Sequence, residues 1–381
     1  VNPAFAAALV LSAGFSERMG DFKPLMTLGG VTLLERAVRL FQSVGVGAVH
    51  VVVGHRAAEL TPRVKGLGAR CVFNPAYAAG MFSSVVAGAA SLAAGPEAFF
   101  VLPVDVPLVR PSTLRELLAA LPEGGTAVCH PTFGGRRGHP PLIGGRHIQR
   151  ILSWREDGGL AALLRRLEAY ALDVPVVDEG IHLDMDRPED HRRLAERLER
   201  RGVLSPAECG ALLDRLQVSP AVAAHCRAVA DVALRIAEAL NAAGAGLDLG
   251  LVRGAALVHD MVREAPNHAL RGGALLRALE LPLMAEVVEA HMDIEVKTEG
   301  PVREAEVVYL ADKLVKANRF VMLAERFADR VGEKTTDPEA RAAARRRLDA
   351  ARAIAERVRE ATGRTLDSFG GHREGDGGNG S

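Results

Sequence analysis

Apolar periodicity changes once along the 381 residues, near Asp190, and this one change constrains the fold more than any single motif. Before it, short apolar runs ("AALVLS", "AVHVVVG", "ARCVFN", "AFFVLPVD", "TAVCHP") alternate with amphipathic stretches ("TLLERAVRLFQSVG", "MFSSVVAGAASLA", "PSTLRELLAALP"). Strands alternating with helices require crossover connections, so this half reads as an α/β domain with a mostly parallel sheet. Beyond Asp190 only helical spacing remains, from "EDHRRLAERLERRG" through "SPAVAAHCRAVADVALRIAEALNAAG" and "DLGLVRGAALVHDMV" to "VREAEVVYLADKLVKANRF", with Ser, Asp or Pro at several helix starts. The second half therefore reads as an all-α bundle. The expected organisation is an α/β domain over 1–200, a helical domain over 205–335, a helical extension over 336–369 and a disordered glycine-rich tail over 370–381. Two cores fit this length, because single cores stop growing at about 250–300 residues.

Lys plus Arg total 47 and Asp plus Glu total 47, so no net basic field draws the chain to nucleic acid, and small-molecule chemistry is the better expectation. Cys71, Cys129, Cys209 and Cys226 have no Cys-x-x-Cys spacing, which argues against a disulfide framework or zinc ribbon and for a reducing compartment. No apolar run approaches the ~18 residues that cross a bilayer. The expectation is a soluble cytoplasmic protein with neither a membrane nor a nucleic-acid partner.

The first apolar run empties into "LSAGFSERMGDFKPL", where Gly14 and Gly20 let backbone N–H groups approach an anion and Arg18 and Lys23 supply charge-assisted hydrogen bonds. No Gly-Lys-Ser follows, so this is not a P-loop, and the spacing is not Gly-x-Gly-x-x-Gly. Alone, such a loop is an ordinary strand-to-helix turn. Asp105 in "VLPVDVPLV" gives it a partner: the flanking prolines Pro103 and Pro107 stiffen the segment, and one rigid carboxylate suffices to hold magnesium on a nucleotide. The competing role, capping the helix that starts near Pro111, is disfavoured by the six-residue gap.

"LSAGFSERMGDFKPL" resembles the Leu-x-Ala-Gly-x-Ser-x-Arg-Met-Gly-x-x-Lys signature of the MobA-like nucleotidyltransferases, matching it at Ala13, Gly14, Ser16, Arg18, Met19, Gly20 and Lys23. "NPAYAAGMFSSVVAG", "LPVDVPLV", "GHPPLIGG", "EDGGLAALL" and "LDMDRPED" follow in the family's order and extend the resemblance over residues 6 to 195. It implies a Rossmann-like sheet of the nucleotide-diphospho-sugar transferase type. Within the superfamily the chain is most similar to the molybdenum cofactor cytidylyltransferases: Ser12-Ala13-Gly14 approximates their Ala-Ala-Gly, Gly138, His139 and Pro140 their substrate segment, and Glu156, Asp157, Gly158 and Gly159 their Gly-Asp-x-Gly-Ala segment, without its following arginine. The resemblance implies CTP over Ser12, Ala13, Gly14, Ser16 and Gly20, with Asn74 and Ser83 near the base. It gives Arg18, Lys23 and Asp105 catalytic roles, and places Mg2+ on Asp105 and Asp186. The molybdopterin-type substrate then meets Gly138, His139, Pro140 and Asp157, and molybdenum hydroxylase apoenzymes or maturation factors are implied partners. Read from the residues alone, Asn74 is equally a turn residue, Ser83 a helix cap, His139 a loop histidine, and Asp186 a turn before the helix at Pro188. If "HLDMDRPED" is a strand, Asp184 and Asp186 share a face.

In the helical half, the adjacent His259-Asp260 pair ends the apolar stretch "LVRGAALVHD", where polar groups need a partner or a metal. The order His225, His259-Asp260, Asp312 resembles the His…His-Asp…Asp ligands of the HD phosphohydrolase superfamily over roughly Ser219 to Arg330, which implies a helical HD-domain bundle. His268 and His291 fall where members carry a second metal or phosphate contact. Imidazole and carboxylate ligands suit Mn, Fe, Zn, Co or Ni. "HDMVR" lacks the Gly-Lys of many signalling members and no Gly-Tyr-Pro element appears, which speaks against cyclic-dinucleotide hydrolysis. The combined expectation is a bifunctional cytidylyltransferase and phosphohydrolase; the alternatives are transfer to another phosphorylated acceptor, or a nucleotide- or metal-sensing module.

Overall fold

The structure, a computed structural model, describes residues 2–16, 19–92, 95–297, 299–331 and 337–370, and the chain divides into two units after Glu199. Of the tail expected over 370–381, residues 371–381 lie outside the described residues, and so does Arg18.

The first unit runs β1 (Ala6–Ser12), the small hairpin β2 (Thr27–Leu28) and β3 (Val31–Thr32), α1 (Leu33–Ser43), β4 (Ala48–Val53), α2 (Ala57–Gly66), β5 (Arg70–Phe73), α3 (Met81–Ser91), β6 (Ala98–Pro103), α4 (Pro111–Ala120), β7 (Val128–Phe133), β8 (Arg136–Arg137), β9 (Leu142–Gly144), α5 (Ile148–Ser153), α6 (Gly159–Arg166), β10 (Ala171–Pro175) and α7 (Pro188–Glu199). Seven strands lie in the order β10-β7-β9-β6-β1-β4-β5, and β8 pairs with β7. β1 is parallel to both β4 and β6; β9 is the antiparallel insert. All of β1 is buried, as a central strand covered on both faces requires. Its alternate residues feed two cores, Ala8 and Val10 packing with Phe41 and Phe100, Leu9 and Leu11 with Phe99 and Val85. Register sets Ser12 beside Val53 and Leu11 beside Pro103, so three loops leave one sheet edge together, the edge where α/β sheets bind ligands.

The second unit comprises α8 (Pro206–Arg215), α9 (Pro220–Ala242), α10 (Leu249–Val258), α11 (His268–Ala278), α12 (Pro282–Ala290), α13 (Glu304–Lys313), a hairpin β11 (Val315–Lys316) and β12 (Arg319–Phe320), α14 (Leu323–Val331) and α15 (Pro338–Thr362). Ser205 opens it with a capping box to Glu208, which is fully buried. α15 buries Leu348, Ala351, Ile354 and Val358, and its Arg347 carbonyl accepts from the Tyr309 hydroxyl at 3.0 Å. The all-helical expectation needs one correction. The stretch expected to stay helical through Phe320 stops at Lys313 and turns back as a hairpin, because Ala317 adopts a left-handed φ of 57° beside Asn318. Among the described residues, no helix is long and apolar enough to cross a membrane.

Candidate functional site

At the β1/β4/β6 edge the loops enclose a cavity of about 250 Å³ lined by Ser12, Ala13, Gly14, Ser16, Lys23 and Asp105, together with Phe15, Tyr77, Met81 and Ser84. Lys23 is the hub. Its ammonium donates to Asp105 Oδ2 at 2.9 Å and Asp186 Oδ1 at 2.6 Å, joining segments distant in sequence. Burial alone would lower the Lys23 pKa, but the hydrogen bonds and charges of Asp186 and Asp105 outweigh it and raise the pKa. Ser16, itself at a left-handed φ of 60°, accepts the Lys23 backbone N–H on its Oγ at 3.1 Å and so ties the glycine loop to its own lysine.

Asp105 is not a helix cap: the buried Asp178 bonds the Arg110 N–H and the Thr113 hydroxyl at the start of α4, both at 2.7 Å. Nor is residues 183–186 a strand. The Met185 N–H donates to the Asp105 carbonyl at 2.9 Å and Asp190 accepts from the N–H groups of Asp186 and Arg187, which pins Asp186 towards Lys23 while Asp184 is exposed. Two carboxylates on one ammonium form an all-oxygen donor pair that fits magnesium, which completes its shell with water and phosphate oxygens.

Ser12 is 2% exposed and its Oγ has no hydrogen-bond partner among the described residues, although it lines the cavity. A buried hydroxyl without a partner carries a desolvation cost that a ligand would relieve. Asn74 and Ser83 are outside the lining: Asn74 donates to Ser83 Oγ and Ser84 Oγ and accepts the Ala76 N–H within its own turn, and the neighbouring Ser84 lines the cavity. Gly20 takes a φ of 75° outside the lining. The backbone N–H of His139, between Gly138 and Pro140, donates to the Ile181 carbonyl at 2.9 Å; desolvation lowers the pKa of its imidazole, against the charges of Asp105 and Asp184. Asp157 is exposed in the turn before α6, also outside the lining.

Sequence reasoning missed an aromatic group at the mouth of this cavity: Phe15 stands 5.1 Å from His55 and 5.3 Å from Tyr77, ring centre to ring centre. Gly54 permits it. A Cβ there would meet Tyr77 Cβ at 2.5 Å and Ala13 Cβ at 3.0 Å. Gly54→Ala is expected to cost about 1–3 kcal/mol of stability through overpacking and to weaken nucleotide binding, read as a smaller nucleotide-induced rise in melting temperature than in the parent protein.

In the second unit His225 on α9, the His259-Asp260 pair after α10, His268 at the start of α11, His291 after α12 and Asp312 in α13 converge. Asp260 is central: its Oδ2 lies 3.7 Å from His225 Nε2 and 3.6 Å from His259 Nε2, its Oδ1 3.4 Å from the Nε2 atoms of His268 and His291. Asp312 Oδ1 lies 3.1 Å from His225 Nε2 and 3.6 Å from His259 Nε2. Three imidazoles turn Nδ1 towards a backbone carbonyl: His225 to Ala317 at 2.7 Å, His259 to Ala256 at 2.8 Å and His291 to Val288 at 2.6 Å. With Nδ1–H donating, Nε2 presents a lone pair inwards, the arrangement of a metal ligand.

Converging lone pairs and carboxylates repel one another unless a cation joins them. Among the described residues no group lies within hydrogen-bond distance of the buried His259 Nε2, the two carboxylates standing 3.6 Å away, and His268 and His291 oppose Nε2 to Nε2 at 3.2 Å. Two groups among the described residues gather ligand atoms within 4.8 Å of one another, His225 with His259 and Asp260, and Asp260 with His268 and His291. The donor set fits a divalent transition metal. Desolvation favours neutral side chains here, yet the charges and close polar contacts of Cys226, Asp312 and Asp260 raise the His259 pKa well above the ordinary range, so a proton competes with an ion for its Nε2. Asp260 is held below the usual carboxyl range by His268, His291 and His259 against the same desolvation, and Asp312 by Lys313, His225 and His259. Four cationic residues that sequence reasoning overlooked line the adjoining cavity, Arg263, Lys313, Arg326 and Arg347.

Residues 8–171 match the MobA-like NTP transferase domain and residues 222–317 the HD domain. A bifunctional IPC transferase and DIPP synthase of Rubrobacter xylanophilus is 40% identical over 151 residues, 37% of this chain and 34% of that protein. A probable molybdenum cofactor guanylyltransferase of Opitutus terrae is 29% identical over 210 residues, 50% of this chain and 96% of that protein. A solved nucleotidyl transferase from Methanothermobacter thermautotroptrophicus is 26% identical with a TM-score of 0.46, covering 51% of this chain and 98% of its own. The chain thus matches about a third of the length of the first relative and nearly all of the second. It carries a MobA-like NTP transferase domain followed by an HD domain.

Proposed function

We propose that the first domain transfers a cytidylyl group from CTP to the phosphate of a molybdopterin-type cofactor, and that the HD domain is a metal-dependent phosphohydrolase. The observation that carries the transferase reading is the Lys23 ammonium shared by Asp105 and Asp186 at the rim of the strand-edge cavity. An acceptor phosphate oxygen attacks the α-phosphorus, the bond to the bridging oxygen breaks, and pyrophosphate leaves with the electron pair. Such a reaction needs positioning and charge neutralisation more than proton transfer. Lys23, with Arg18 on the same loop, neutralises the triphosphate; loop N–H groups orient it; Ser12 Oγ gains a partner from the base. Magnesium held by Asp105 and Asp186 supplies further neutralisation when bound. CTP over GTP is favoured by the likeness of Ser12-Ala13-Gly14 to the cytidylyl branch. In the HD domain, His225, His259, Asp260 and Asp312 hold the catalytic ion, which when bound supplies Lewis acidity towards water and phosphate oxygen.

Pyrophosphate release is measured from CTP, GTP, ATP and UTP with magnesium and purified molybdopterin cofactor. Release with CTP alone is expected. Release with GTP alone would transfer the assignment to the guanylyl branch. A second reading, transfer to another phosphorylated alcohol, is favoured by the 40% identity to the protein named an IPC transferase, and a panel of sugar and alcohol phosphates separates the two.

A further inference from the structure

We propose that Phe15, steadied by Tyr77 and His55, is the platform on which the nucleobase of the triphosphate stacks; this rests on the transferase reading above and names a base contact that reading leaves open. The cavity at the β1/β4/β6 edge has a lining of two kinds. Lys23 and Asp105, bonded to each other, supply charge, while Phe15 and Tyr77, in ring contact, and Met81 supply apolar surface. A nucleoside triphosphate has the same two halves, an anionic chain that needs cations and a flat ring with two apolar faces. Phe15 is 45% exposed and Met81 64%, although both line the cavity. Apolar surface left to water inside a concave site is surface that a ligand can bury.

The ring is held ready for such a partner. Phe15 and Phe22 both lie on the segment that follows β1, and the His55 imidazole meets the two of them, Phe15 at 5.1 Å and Phe22 edge-on at 5.8 Å between ring centres. Tyr77 closes the group, 5.3 Å from Phe15. Tilted and edge-on contacts at these separations are the ones that aromatic pairs prefer. Phe15 thus touches two rings and still keeps nearly half of its surface open, so little side-chain freedom remains to be lost when a third ring arrives. Two buried hydroxyls complete the site. Ser12 Oγ has no partner among the described residues, and Ser84 Oγ accepts from the Asn74 amide at 3.1 Å, which leaves its own O–H to donate. Hydroxyls act on the edge of a base, where bases differ, whereas a platform acts on its face, which every base has. Phe15 therefore strengthens binding by a similar factor for each nucleotide that the site admits.

The test titrates the full chain calorimetrically, with magnesium and without acceptor, using CTP, GTP, ATP, UTP and inorganic triphosphate. Phe15→Leu keeps an apolar side chain and removes the π face. It is expected to weaken every nucleotide that the parent protein binds by about tenfold and to leave inorganic triphosphate unmoved. Phe15→Tyr, which keeps the face, is expected to bind nucleotides as the parent does. Because Phe15 is exposed, the melting temperature of either variant without ligand should stay near the parental value. Parental nucleotide affinity in Phe15→Leu, an equal loss for inorganic triphosphate, an equal loss in Phe15→Tyr, or a loss confined to one of several bound nucleotides overturns the platform and leaves the transferase reading standing. A parent protein that binds none of the four nucleotides overturns that reading itself.

Discussion

Asp105→Asn is expected to lower pyrophosphate release by about 10²–10³-fold or more, the scale of losing one fixed group that acts on transition-state charge. The side chain is 23% exposed and its main structural tie is through its backbone carbonyl to Met185, which the substitution keeps. The melting temperature should therefore move little while turnover collapses. Lys23→Ala should do comparable damage by a different route: it leaves Asp105 and Asp186 facing one another without their shared cation, so the apo protein should bind magnesium at least as well while binding the triphosphate worse. Measuring magnesium and nucleotide affinity in both variants separates the two roles. An Asp105→Asn protein with parental turnover would remove Asp105 from the site.

Asp260→Ala is expected to have the largest effect in the second unit, because this one carboxylate belongs to both candidate metal groups. Metal affinity should fall by more than the ~10–100-fold that follows loss of an outer-shell partner, with phosphohydrolase activity falling in parallel. Metal content by atomic absorption is the direct measurement. Substituting His268 should instead remove only the second group, leaving the ion on His225, His259 and Asp260. Equal metal content in parent and Asp260→Ala protein would refute the shared-ligand geometry.

Much of this was legible in the sequence because it is local. The strand that empties into Gly14 and Lys23 and the His-Asp doublet that closes an apolar helix are each one continuous stretch, and the change of periodicity near Asp190 shows in the spacing of neighbouring residues. What was hidden depends on convergence. Phe15, His55 and Tyr77 meet only because register aligns three strand ends. Arg263, Arg326 and Arg347 lie far apart in the sequence, and nothing in their spacing shows that they border one cavity. Ser84 rather than Ser83 lines the cavity because successive helical residues differ by about 100° in direction, a distinction that a serine pair cannot display. The hairpin after Lys313 was masked by helix-compatible residues, with Ala317 in a conformation that alanine rarely adopts.

The imidazole-to-carbonyl bonds have a consequence for how this site tolerates change. His259 and His291 each bond the carbonyl three residues earlier, at the ends of α10 and α12, and the Val288 carbonyl accepts the His291 backbone N–H as well. The residue that stops the helix is thus also the one that offers nitrogen to the ion. One inserted residue near either helix end would rotate the donor out of the cluster by about 100°, while the same insertion before the helix, in the loop leading to it, would leave the tether between carbonyl and imidazole intact. Length variation among descendants of this chain should therefore collect ahead of these helices and be absent from their last turns.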